Sequence, residues 1–204
     1  MPLRTWYDER VLPRLVDLAM SGDSTTSWRQ QTCAHVEGEV VELGFASGMN
    51  LKHYPTAVTS VLAVEPADLA WDRAAERVRA VADRGIDVRR VSRDAADLSA
   101  LADHSVNAVV STWTLCTIAD LPTALAEVRR VLAPGAALHF VEHTISPTPW
   151  LAALGRKVQP AWRVCAGGCH LDRDILALLA DAGLTVAVGR THGWFVAGQA
   201  TPLP

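Results

Sequence analysis

The chain has 204 residues, half of them hydrophobic and 20% charged, with a formal net charge of −3. A chain of this length suits one domain that buries about 70% of the surface its unfolded form exposes, and without a basic stripe a nucleic-acid backbone is not an expected partner. The four cysteines, at 33, 116, 165 and 169, are too scattered for a disulfide framework.

Met1 to Asp23 is amphipathic with interleaved charges, unlike a signal peptide. No run reaches the ~18 apolar residues of a membrane span, so a cytoplasmic protein without an integral membrane segment is expected. Val11, Leu12, Leu15, Val16, Leu18 and Ala19 fall at helical spacing and predict a helix over 7–20, stopped by Ser21-Gly22-Asp23. A second helix is predicted over 28–35. Residues 1–37 are expected to form an N-terminal helical cap on a single compact domain, 38–204.

From Val40 onward strand and helix alternate. Strands are predicted near 39–43, 60–64, 87–91, 106–111, 137–142, 184–189 and 193–198, and helices near 49–53, 67–84, 96–102, 121–132 and 172–182. This alternation predicts an α/β fold, a doubly wound and mostly parallel sheet with helices on both faces. Right-handed crossovers then put ligands at the carboxyl ends of the strands, at the switch point. The last two strands, separated by Arg190-Thr191-His192, should pair antiparallel. Arg73, Glu76, Arg77 and Arg79 read as a solvated helix face. Residues 143–171 fit no regular period and hold Pro147, Pro149, Pro160, Trp150 and Trp162. A segment this long is expected to be a lid over the ligand side, with a short helix near 150–158.

The segment Glu42-Leu43-Gly44-Phe45-Ala46-Ser47-Gly48 places an acid and a glycine-bearing turn at a strand end. It is neither the G-x-G-x-x-G of dinucleotide sites nor a phosphate-cradling loop. An acid two residues before the first glycine would repel a pyrophosphate and suit an ammonium group. The alternative is a tight strand-to-helix turn without a ligand. Val61-Leu62-Ala63-Val64 ends in Glu65-Pro66, where a carboxylate can accept from two ribose hydroxyls or, alternatively, favour a helix N-terminus. Asp94-Ala95 follows the third strand; Asp94 could accept from an adenine amino group or cap the segment after it.

Together these residues resemble the motifs of class I S-adenosylmethionine-dependent methyltransferases. Glu127-Val128-Arg129-Arg130-Val131-Leu132-Ala133-Pro134-Gly135-Ala136 is similar to the E-x-x-R-V-L-x-P-G-G signature of the small-molecule branch. The likeness covers roughly residues 38 to 198 and departs at Ala46, Asn107 and Ala136. Ser111 to Thr117, Glu142-His143 and Gly168 to Arg173 are similar to segments of the alkyl-thiol methyltransferases. The resemblance implies a Rossmann-like seven-stranded sheet of order 3-2-1-4-5-7-6 with strand 7 antiparallel. It also implies S-adenosylmethionine as cofactor, touched by Glu42, Gly44, Phe45, Ala46, Gly48, Glu65, Pro66, Asp94, Ala95 and Thr112.

Methyl transfer from a sulfonium needs alignment and exclusion of water. His143, just past strand five, is the candidate base; it could equally anchor its loop by hydrogen bonds. Trp113, Cys116 and His170 are candidate acceptor-binding residues, though Cys116 also reads as a small buried apolar residue and His170 as part of a helix entry. Cys165, Cys169 and His170 form a C-x3-C-H set without a fourth clustered ligand, so no metal is expected there. Cys116 with Cys165 and Cys169 is an equally weak set for a thiophilic metalloid such as arsenite. The expected partner is a small, largely apolar methyl acceptor, a thiol before a phenol or quinol. The competing readings are a non-catalytic S-adenosylmethionine-binding protein and a nicotinamide-dependent oxidoreductase.

Overall fold

The computed structural model describes residues 22–203, together with Val11, Arg14 and Met20. The helix expected over 7–20 otherwise lies outside the described residues. In chain order the elements are α1 (Asp23–Cys33), β1 (Gly38–Leu43), β2 (Val58–Val64), α2 (Asp68–Arg73), α3 (Ala75–Ala82), β3 (Asp87–Ser92), β4 (Val106–Thr112), α4 (Leu121–Val131), β5 (Leu132–His143), α5 (Pro149–Cys165), α6 (Ile175–Asp181), β6 (Leu184–His192) and β7 (Phe195–Pro202).

The sheet runs β3-β2-β1-β4-β5-β7-β6, as the resemblance implied. β1 to β5 pair in parallel, and β7 inserts antiparallel between β5 and β6. The central strands are near-continuous apolar runs because both their faces are covered. Val41, Leu43, Leu62 and Val64 face one core with α4 and α6; Val40, Val61 and Ala63 face the other with α3. The alternation follows from the two-residue period of a strand. β1 has β2 on one side and β4 on the other. The crossovers therefore part at the carboxyl ends of β1 and β4 and open a crevice there.

Several boundaries differ from expectation. The second helix spans Asp23–Cys33 rather than 28–35. The helix expected at 49–53 is a single 3-10 turn, Leu51–His53, and the one expected at 67–84 breaks at Ala74 into α2 and α3. Residues 96–102, all described, form turns instead of a helix. Local side chains take the backbone groups a helix would use: Asp94 Oδ1 accepts from Ala96 N, Asp97 Oδ1 accepts from Ser99 N, and Ser92 Oγ donates to Asp97 O. The β6–β7 hairpin turns at Gly193-Trp194, with Gly193 at φ 62, leaving Arg190 to His192 inside β6.

The largest difference lies in residues 143–171, where α5 runs 17 residues from Pro149. Its buried residues include small Ala152 and Gly155, while Trp150, Leu154 and Trp162 stay exposed. The large apolar residues at helical spacing thus point outward, which inverts the usual amphipathic pattern, and Pro160 sits within the helix. The close fit of Gly155 explains its size: a Cβ there would stand 3.0 Å from Trp194 Nε1.

The E-x-x-R part of the signature has a structural reason. Arg130 forks onto both oxygens of Glu127 at 2.7 and 2.8 Å, and donates to Leu98 O, Leu101 O and Asp103. Glu127 in turn accepts from Leu98 N. The pair thus fastens the segment after β3 to α4. Replacing Arg130 with Ala should cost about 2–3 kcal/mol in urea unfolding, and Lys should restore less than half, because it cannot fork.

Candidate active site

The turn after β1 uses three left-handed residues in alternation: Gly44 at φ 66, Ala46 at φ 51 and Gly48 at φ 75. Gly44 is demanded by space as well as angle, since a Cβ there would lie 2.1 Å from Thr114 Oγ1. Ala46, where the family usually has glycine, adopts the same curl at a cost of about 1–2 kcal/mol. Its N–H donates to Glu65 Oε2 at 2.7 Å, while Glu65 Oε1 accepts from Ala67 N at 2.8 Å. Glu65 therefore brackets the turn from the end of β2, and each oxygen keeps a further lone pair. Burial raises the Glu65 pKa, and the two N–H groups and Arg90 oppose the shift. Phe45 is buried against Trp71, with ring centroids 5.4 Å apart, and Pro66 is exposed. Asp94 is exposed beside buried Ala95.

Glu42 lies in a buried polar knot. Asn50 Nδ2 donates to its Oε1 at 2.9 Å and Tyr54 OH to its Oε2 at 2.7 Å. Arg29, on α1, donates from Nη1 to Asn50 Oδ1 and to Thr112 Oγ1, both at 2.8 Å. Its guanidinium carbon lies 4.9 Å from the centre of the Trp113 ring. Glu42 is 1% exposed. Burial pushes its carboxyl up to about 7, against the bonds from Tyr54 and Asn50 and the charge of Arg29. Glu42 thus holds the floor of the crevice together, and Arg29 is a residue the sequence reading missed. The only signal was burial-type spacing of Trp28, Arg29, Thr32 and Cys33 on α1.

On the other side of the switch point, Glu142 is fully buried at the end of β5. It accepts from Ser111 Oγ at 2.6 Å and from the backbone N–H groups of Thr114, Leu115 and Cys116 at 3.0, 3.0 and 3.1 Å. Burial raises its pKa, opposed by those four donors. Trp113 takes φ 56 at the head of this loop, with its ring edge-on to Phe195 at 6.2 Å. Its buried indole Nε1 has no hydrogen-bond partner among the described residues.

Glu142 thereby presents Cys116 to His143 and Cys169. Cys116 Sγ lies 3.6 Å from His143 Nδ1, Cys169 Sγ lies 3.4 Å from the same nitrogen, and the two sulfurs are 3.4 Å apart. The thiol of Cys169 is drawn below its usual range by the hydrogen bond from Cys116 and by His143 and Trp162, whereas burial holds Cys116 above it. The His143 ring also lies 4.9 Å from that of Phe195. Cys165 is exposed and outside this cluster, and the His170 ring faces Asp172 at 3.4 Å, so the C-x3-C-H set does not assemble. Of the predicted acceptor residues the structure brings Trp113 and Cys116 to the candidate base His143 and adds Cys169, while His170 lies outside the Cys116–His143–Cys169 cluster.

The comparisons with known proteins fall in line with this geometry. A family profile described as "Methyltransferase domain" matches residues 41–140. The rat protein named "Thiol S-methyltransferase TMT1B" is 32% identical over 148 residues, 68% of this chain and 56% of its own. The human "Thiol S-methyltransferase TMT1A" is 30% identical over 156 residues, 72% of this chain and 59% of its own. The chain therefore spans under two thirds of the length of these relatives. Among solved structures, a possible histamine N-methyltransferase from Thermotoga maritima has a TM-score of 0.65 at 20% identity, covering 95% of this chain and 99% of its own. A putative methyltransferase from Bacillus halodurans has a TM-score of 0.69 at 12% identity, covering 88% and 100%. Both share the fold.

Residues 41–140 thus match a methyltransferase domain, and the sheet has the fold of solved methyltransferases. Over 68–72% of its length the chain is similar to the relatives named thiol S-methyltransferases. No helix among the described residues is long and apolar enough to cross a membrane.

The raised carboxyl of Glu42 has a signed consequence. Its folded pKa of about 7 exceeds the reference 4.5, so its contribution to stability is full below pH ~4.5 and is lost as pH rises through ~7. Urea unfolding of wild type and Glu42→Gln should show the wild type losing roughly 3 kcal/mol relative to the variant between pH 5 and 8. A constant difference would contradict a raised pKa.

Proposed function

We propose that the protein transfers a methyl group from S-adenosylmethionine to a small, largely apolar thiol. The observation that carries this reading is the meeting, at one switch point, of the Glu65-bracketed turn with a wall of Trp113, Cys116, His143 and Cys169. Two things fit the cofactor. Glu65 keeps acceptor capacity beside a curled backbone, and the unpartnered Trp113 Nε1, with the Arg29 guanidinium over its ring, suits a carboxylate.

When bound, S-adenosylmethionine supplies an electrophilic methyl on a sulfonium. We assign its ribose to Glu65, its adenine to Asp94 and Ala95, and its amino-acid end to Arg29, Trp113 and the Gly44–Gly48 turn above the Glu42 knot. Phe45, Pro66 and Thr112 complete that side. A thiol reacts as its thiolate, so the acceptor wall has to take up a proton, and His143 is the group assigned to this. The aromatic rings of Trp113, Phe195 and Trp162 exclude water, which favours a step in which opposite charges cancel. The names of the 30–32% identical relatives support a thiol over a phenol. In this reading residues 1–37 cap the domain 38–204, and α5 stands where a lid was expected.

Calorimetric titration with S-adenosylhomocysteine tests the cofactor half. Wild type should bind, and Glu65→Ala should bind at least tenfold more weakly with its circular dichroism unchanged, a loss of about 1.4 kcal/mol or more. Glu65→Gln, which keeps an acceptor for the turn, should fall between them. Unchanged affinity in Glu65→Ala would overturn the assignment. Product analysis with matched alkyl thiols and phenols decides the acceptor class.

A further inference from the structure

We propose that Cys116, His143 and Cys169 bind a divalent zinc ion, and that the acceptor thiol binds as its fourth ligand. The second part rests on the thiol-acceptor reading above. The proposal departs from the sequence expectation of no metal, because the set that assembles is not the one that adjacency in sequence suggested.

The geometry is that of one face of a tetrahedron. With Zn–S of about 2.3 Å and Zn–N of about 2.0–2.1 Å, tetrahedral ligands stand about 3.8 Å apart for two sulfurs and about 3.6 Å for sulfur and nitrogen. The observed edges are 3.4 Å between sulfurs, and 3.4 and 3.6 Å from sulfur to Nδ1. Closing on an ion needs shifts of no more than about 0.4 Å. Two thiolates and one neutral imidazole are a donor set that suits zinc.

Both cysteines are also held from behind. Glu142 fixes the backbone N–H of Cys116, and His170 N donates to Cys116 O at 2.9 Å. Gln159, itself buried in α5, donates to Cys169 O at 3.1 Å and accepts from Leu171 N at 2.8 Å. Arg173 Nη1 donates to Leu115 O and Ile118 O at 2.7 and 2.9 Å, fastening the two loops to each other. Three segments far apart in sequence are thus set in register around a common point, which ordinary core packing of cysteine does not require.

Among the described residues the site is not closed. There the cluster holds three candidate ligand groups, and His143 is only partly buried, with the 37%-exposed Trp162 beside it. Three protein ligands with an open position are the pattern of a site that takes a substrate or water as the fourth. On loading, the ion replaces the thiol protons of Cys116 and Cys169, and both protons leave to solvent. An acceptor thiol that displaces the bound water loses a third proton and stays as a metal-bound thiolate. With the ion bound, His143 acts as a ligand in place of the base role assigned to it in the metal-free reading, and coordination generates the nucleophile.

The test uses the full chain, purified under a non-thiol reductant and offered zinc in competition with a chromophoric chelator. Wild type should bind one equivalent. Cys169→Ser and His143→Gln should each bind at least 100-fold more weakly, while Cys165→Ser, outside the cluster, should match wild type. Circular dichroism checks the fold of each variant. Cobalt(II)-loaded protein should show thiolate charge-transfer absorption that grows when an alkyl thiol is added. No stoichiometric zinc, or equal affinity in Cys169→Ser, overturns the metal site. A cobalt spectrum unmoved by the thiol overturns the acceptor's place on it. S-adenosylhomocysteine binding, measured on the same samples, stands or falls independently and reports on the methyltransferase reading alone.

Discussion

A buried carboxylate at the end of β5 organises the acceptor half of this molecule. Glu142 gathers Ser111 Oγ and three consecutive backbone N–H groups from the chain that leaves β4. Those N–H groups belong to a loop with no ladder to pair with, and a buried unpaired N–H costs about 1–3 kcal/mol. One carboxyl side chain satisfies all three and sets the loop's path. That path carries Trp113 into a left-handed conformation, aims Cys116 toward the next strand end, and delivers Thr114 against Gly44.

Glu65 plays the matching part on the cofactor half. It brackets the β1 turn from the neighbouring strand end, as Glu142 brackets the β4 loop. The two turns meet where Thr114 fills the space that a Cβ on Gly44 would need. Between them Thr112 accepts from Arg29 and Asn50, and so ties the helix before the sheet into the same crevice. Two acids at strand ends, one polar knot and one glycine contact therefore fix the shape of the crevice. The parallel sheet supplies the frame, because its switch point leaves the ends of β1 and β4 uncovered.

What could be read from the sequence followed strength of pattern. Val-rich runs covered on both faces marked the central strands β1, β2 and β4, alternation with helices marked the rest, and their order came with the resemblance. Helices were legible where a stripe faced one core, as in α4. They failed where short polar side chains compete for the backbone, at Asp94 to Ser99, and where the apolar stripe points outward, in α5. The glycine turn and Glu65 at the next strand end were visible because local spacing places them. Arg29, Glu142's role and the meeting of Cys116, His143 and Cys169 were not. Each depends on side chains from segments separated by at least 21 positions, as for Arg29 and Asn50, or as many as 83, as for Arg29 and Thr112. The cysteine pair nearest in sequence, Cys165 and Cys169, was the misleading one, since a helix end separates their side chains.

The most direct measurement is native-state hydrogen exchange, by NMR, at the amides of Thr114, Leu115 and Cys116 in wild type and Glu142→Gln. Wild type should protect all three like the neighbouring strand amides of β4. In the variant the three should exchange at least about 30-fold faster, equivalent to about 2 kcal/mol of local stability, with Val109 and Val110 little changed. Protection of the three amides that survives the substitution would contradict the organising role given to this carboxylate.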